Sequence, residues 1–165
     1  ITVDQQLVVT VSNQGNCATN EAFWVDLYIA PNPAPSHVNQ QWWDVASQGI
    51  VWGVTEVLAP GQSITLRPYD QYYSARRSEW ANRIAAQTKL YVQADAYNAA
   101  TSYGAVLELH EAFNFEYNNI ASITTSAHFS QPTGLRQQLA TETGLPTRAL
   151  PSNPSPNQLR PIPAR

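Results

Sequence analysis

Glu108, His110 and Glu111 fall within four residues, and Glu108 and His110 flank Leu109. On an extended strand their side chains share one face. Asp95 belongs to the preceding strand-like segment and would reach the adjoining face, so Asp95, Glu108 and His110 are the candidates for a cation site. Carboxylates and an imidazole are competent metal ligands, but two or three scattered donors fall short of a cage. A surface polar cluster is the plainer reading, and no resident metal or cofactor is expected. His37 and His128 lie in turn-rich stretches without a partner nearby in sequence. Ser and Thr are abundant, yet no G-x-S-x-G elbow and no glycine-rich phosphate loop occurs. These residues point away from catalysis, and the chain is read as not an enzyme.

Trp42, Trp43 and Trp52 offer a different chemistry. Aromatic rings exposed on a sheet stack on sugar rings, and Asn39, Gln40, Gln41 and Asp44 would supply the polar partners that a glycan needs. The competing reading makes the three rings packing groups, as large aromatics usually are.

The elements that must position these residues are short and alternating. Residues 6–12 put Leu7, Val9 and Val11 on one face, and 22–29 put Phe23, Val25, Leu27 and Ile29 on one face. Asn13 and Gly15 form the turn between them. Prolines 31, 33 and 35 stop the second strand. Residues 50–54 and 62–67 read as further strands, the latter after a turn at Pro60 and Gly61. Residues 88–97 alternate most cleanly, with Leu90, Val92, Ala94 and Ala96 facing in and Tyr91, Gln93, Asp95 and Tyr97 facing out. Residues 105–109 and 120–125 complete the set. In 72–87, Tyr73, Trp80 and Ile84 stand seven and eleven residues apart, the spacing of one helical face, which predicts a short inserted helix. Many short strands parted by turns predict an all-β antiparallel sandwich over residues 1–130. Its predicted core is Leu7, Val9, Val11, Val25, Leu27, Leu90, Val92 and Ala94.

Composition narrows the setting. Acidic residues exceed basic ones by three, which excludes the electrostatic footprint of a nucleic-acid binder. No apolar run approaches the ~20 residues needed to span a bilayer as a helix. Charged residues are only 13% of the chain, while Ser, Thr, Asn and Gln number 51. Such a surface suits an extracellular or cell-surface protein and is open to O-linked glycans, an unmodified neutral surface being the simpler alternative. The standard N-glycan signal is absent, since Asn153 is followed by Pro154. Cys17 is the only cysteine and is expected to be buried rather than paired with another chain. The chain opens at Ile1 within a strand-like stretch and has no methionine, as expected of a processed form or an excerpt.

Val11, Asn13 and Gly15, then Phe23, Val25, Leu27 and Tyr28, follow the V-x-N-x-G and F-x-V-x-L-Y patterns of one family. Leu58, Pro60 and Gly61 match its L-x-P-G turn, and Glu108, Glu111, Asn118 and Asn119 its closing strand and Asn pair. Over residues 1–125 the chain thus resembles the CARDB family of bacterial cell-adhesion-related domains. The resemblance implies an immunoglobulin-like sandwich and an extracellular, often tandem, adhesive or structural module. It implies no catalytic residue. The tryptophan-rich stretch 42–52 and residues 72–87 look like insertions, and the tail lies outside the pattern.

From Gln131 the composition changes, and seven of the twelve prolines follow. A segment of this kind buries little apolar area on itself, so its support is expected from another copy or a neighbouring domain. Residues 131–165 are read as an extended linking arm. Pro151, Pro154 and Pro156 would hold it extended, with Leu150 and Leu159 as apolar contacts. Pro161 and Pro163 flank Ile162, which would donate its N–H to an open sheet edge while both prolines face away. Each copy would donate one tail and receive one, giving an open head-to-tail polymer or tandem array. The expected partners are other copies of the same chain, with surface glycans the alternative; neither nucleic acid nor membrane insertion is expected.

Overall fold

The computed structural model describes residues 1–108 and 118–130. The expected strand pattern gives an antiparallel β-sandwich. The first sheet contains β1 (Thr2–Val3), β2 (Val9–Ser12) and β5 (Ser63–Leu66), in the order β1-β2-β5. The second contains β3 (Phe23–Ile29), β4 (Gln48–Val54), β7 (Lys89–Ala94) and β8 (Ile120–Thr124), in the order β4-β3-β7-β8. A short ribbon joins β6 (Arg83–Ile84) to β9 (Phe129–Ser130). The helix α1 (Trp42–Val45) lies between β3 and β4.

Register follows the alternation. Val25 pairs with Trp52 on one side and Ala94 on the other, and Leu27 likewise with Ile50 and Val92. These side chains meet Leu7, Val9, Val11, Ile64 and Leu66 of the first sheet to form the main core. All eight expected core residues are buried.

Three expectations fail for identifiable reasons. Residues 72–87 are not a helix. Tyr73 bridges Trp52, Glu79 bridges Gly49, and Ile84 pairs with Phe129, so the segment is used as intermittent extended backbone. Asn82 and Gln87 have φ of 58° and 61°, incompatible with a continuing α-helix. Tyr73, Trp80 and Ile84 do turn toward the core, as their spacing implied, but from a different backbone. The described part of the expected strand 105–109 has no ladder; residue 109 lies outside the described residues. Cys17 is exposed, because the β2–β3 turn is held by Asn13 and needs no apolar anchor there.

Candidate functional site

The residues with the most unusual environment lie on the outer face of the second sheet. Alternation along β3 sends Trp24, Asp26 and Tyr28 away from the main core, yet every residue of β3 is buried. The cover comes from α1 and from the segment around Arg77. Trp24, Tyr28, Trp42, Trp43 and Val51 form a second apolar cluster, with Val45, Tyr91 and Tyr97 at its margin. Trp42 and Trp43 meet edge to face at 5.4 Å, and the Arg77 guanidinium lies 4.2 Å above the Trp24 ring.

Polar groups tie this cover down. Gln41 and Asp44 form a capping box at the start of α1. The Trp42 backbone N–H donates to Asp26 Oδ2 at 3.2 Å, and Trp42 Nε1 donates to the Arg77 carbonyl at 2.8 Å. Tyr28 Oη lies 2.6 Å from Gln93 Oε1, and Gln93 Nε2 donates to the His37 carbonyl at 3.0 Å. Asp26 is fully buried, and its Oδ1 has no hydrogen-bond partner among the described residues. Burial pushes its pKa up to about 7; the Trp42 N–H opposes that rise, the Asp44 carboxylate adds to it, and the Arg77 guanidinium opposes it. Burial in turn pulls Arg77 below the usual guanidinium range.

The expected site residues are placed otherwise. Trp42, Trp43 and Trp52 are all buried, so none presents a ring face to a sugar, which corrects the glycan-stacking assignment. Trp52 belongs to the opposite, inner face and donates from Nε1 to the Arg67 carbonyl at 2.8 Å. The ambiguity arose because an aromatic-rich stretch beside polar residues has the same composition as an inserted cover. Asp95 does not face solvent. It is buried, and its Oδ1 and Oδ2 accept the N–H groups of Ala105 and Val106, each at 2.7 Å. Glu108 is described but lies in no strand, and His110 lies outside the described residues. Among the described residues no group of three or more His, Cys, Asp or Glu side chains is placed to hold a metal. The acid at 95 therefore clamps a loop, a role that spacing alone does not reveal.

The turn residues of the sequence patterns do converge. Asn13 Nδ2 donates to the carbonyls of Cys17 (2.7 Å) and Leu58 (2.8 Å), its Oδ1 accepts the Gly15 N–H, and its carbonyl accepts the Gly61 N–H. Gly61 has φ of 77°, which explains a glycine there.

The two edges of the second sheet differ. The β4 edge is sealed by residues 72–79: Ser74 donates to the Val51 carbonyl, Gly53 to Tyr72, and Gly49 and Glu79 exchange both bonds. The β8 edge has no ladder partner among the described residues. Asn119 and Thr125 bond toward β7 and its flanks, so the alternation of an antiparallel ladder turns the backbone of Ile120, Ser122 and Thr124 outward. Among the described residues only the Thr124 carbonyl is engaged there, by Gln5 Nε2 at 3.1 Å. Among the described residues no helix is long and apolar enough to cross a membrane.

Compared with known protein families, with curated proteins and with solved structures, the chain returned no match in any of the three.

Proposed function

We propose that this chain is a non-catalytic structural subunit, or one repeat, of an extracellular filament or surface-adhesion protein. It would be linked head to tail by its C-terminal segment through strand addition. The observation that carries this reading is the contrast between the two edges of one sheet. Proteins guard exposed edges, because unpaired N–H and C=O groups recruit other strands. Here β4 is guarded along its length. The β8 sequence Ile120, Ala121, Ser122, Ile123, Thr124 contains neither a lysine nor a proline nor any other charge that would blunt it.

The occupant proposed for this edge is the stretch around Ile162 of another copy. The charge distribution supports the pairing. Residues 131–165 carry four arginines against one glutamate, while residues 1–130 carry eleven carboxylates against five basic side chains. A basic arm and an acidic body attract one another between copies. The placement of the polar side chains also favours a structural role. Asp4, Asn13, Asp70 and Asp95 each accept two backbone N–H groups or bridge two loops.

The test is assembly itself. The full chain should form open polymers, visible by electron microscopy and sedimentation, and a chain ending at Ser130 should stay monomeric. Equal polymerisation by both would refute the linking role of the tail.

A further inference from the structure

Four aromatic rings form a row where the chain leaves β9. The centroids of Tyr73 and Tyr69 are 4.7 Å apart, those of Tyr69 and Trp80 6.1 Å, and those of Trp80 and Phe129 6.2 Å, the last pair stacked at 19°. All four are half-buried. Tyr73, Trp80 and Phe129 rest on the core, so the row is firmly based. Tyr69 is held in the left-handed region, with φ of 65°, and its hydroxyl bonds to the side chain of Asn82, itself at φ 58°. A tyrosine is unfavourable in that region, so its ring is kept in the row at a conformational cost.

We propose that this row is a docking surface for a proline-rich extended segment, namely residues 150–163 of another copy of this chain. The inference rests on the reading that the tail meets another copy, and it names the surface that receives the tail's proline-rich part. Extended proline-rich segments pack their rings between aromatic side chains, and their preset backbone lowers the entropy lost on docking. Pro151 and Pro154 are three residues apart, one turn of such a helix, so in that conformation their rings would lie on one face about 9 Å apart. With single steps of 4.7 to 6.2 Å between centroids, that spacing falls between one and two steps of the row. Phe129 stands five residues beyond Thr124, so the row lies close in sequence to the β8 edge, which has no ladder partner among the described residues, and one arm could occupy both. Local charge is mixed, with Asp70 and Glu79 beside Arg67 and Arg83, so the choice of face rests on the rings. Arg160 is the one charged residue of 150–163, so the choice of occupant rests on its prolines.

The experiment uses the full chain and reads its self-association by sedimentation over a concentration series. Tyr69→Gly removes a ring and relieves the left-handed strain, so the fold should be retained. Pro151→Ala, Pro154→Ala and Pro156→Ala together alter only the arm. Each variant should weaken association about tenfold or more, as loss of an aromatic anchor usually does. The triple variant keeps the test decisive if Tyr69→Gly fails to fold. Undiminished association in the triple variant, or in a folded Tyr69→Gly, overturns this docking surface. If Ser122→Pro, which deletes an outward N–H of β8, abolishes association at the same time, the edge reading still stands. A full chain that stays monomeric at every concentration overturns both.

Discussion

A Cβ added to Gly49 would lie 2.3 Å from Cγ of Trp42. The indole of α1 therefore sits directly on the backbone of β4, and only glycine leaves room for it.

Gly49→Ala should push Trp42 out of its place and destabilise the protein by about 1–3 kcal/mol, the range for overpacking a filled site. Chemical denaturation measures the loss, and tryptophan fluorescence should shift to longer wavelength as the cluster opens. An unchanged midpoint would show that α1 is not seated on β4.

Trp42→Ala or Trp43→Ala should each cost about 3–5 kcal/mol, as removal of a large buried aromatic does. Retention on polysaccharide columns should be the same before and after the change. A folded variant that loses a sugar affinity present in the parent would restore the glycan reading.

Asp26 gives stability a pH dependence whose sign is set by burial. Its folded pKa, about 7, lies above the ordinary carboxyl value of 3.8 that applies in the unfolded chain. Between those values the unfolded chain has released the proton and the folded one retains it, so rising pH favours unfolding. The stabilisation is full below about pH 4, falls through the window from about 4 to 7, and stays lost above it. The swing is on the order of a few kcal/mol. Asp26→Asn keeps the shape and cannot ionise, so denaturation midpoints followed from pH 4 to 8 should lose this slope. An identical slope in the variant would contradict the assignment.

Asp95→Ala should leave the N–H groups of Ala105 and Val106 without their acceptor and cost about 1–3 kcal/mol. A chelator should not change the melting temperature of the parent, because the carboxylate is used by the loop. A chelator-sensitive melt would return Asp95 to the role of metal ligand.

How much of this was legible in the sequence follows from what each pattern encodes. Leu7, Val9, Val11, Val25, Leu27, Leu90, Val92 and Ala94 announce themselves because period-two alternation reports directly which side chains share a face. The second buried face did not, since alternation puts Trp24, Asp26 and Tyr28 together on the other face of β3 without recording what covers them. Their burial depends on α1 and Arg77, which reach them from 16 and 53 positions away in sequence. The false helix at 72–87 has a related cause. Tyr73, Trp80 and Ile84 point at the core because β4 and β9 hold them there, and apolar spacing records the direction without the backbone that achieves it. Gly104 was equally silent: its φ of 90° and the room it leaves for the Asp95 carboxylate emerge only once the loop is folded.

Hydrogen exchange at β8 tests the central claim most directly. The outward N–H groups of Ile120, Ser122 and Thr124 have no partner among the described residues, whereas a tail added from another copy would bond them. In assembled full-length protein these three amides should be strongly protected, and in protein ending at Ser130 they should exchange rapidly while the inward amides of β8 stay protected. Fast exchange of the three in the assembled state would contradict strand addition at this edge.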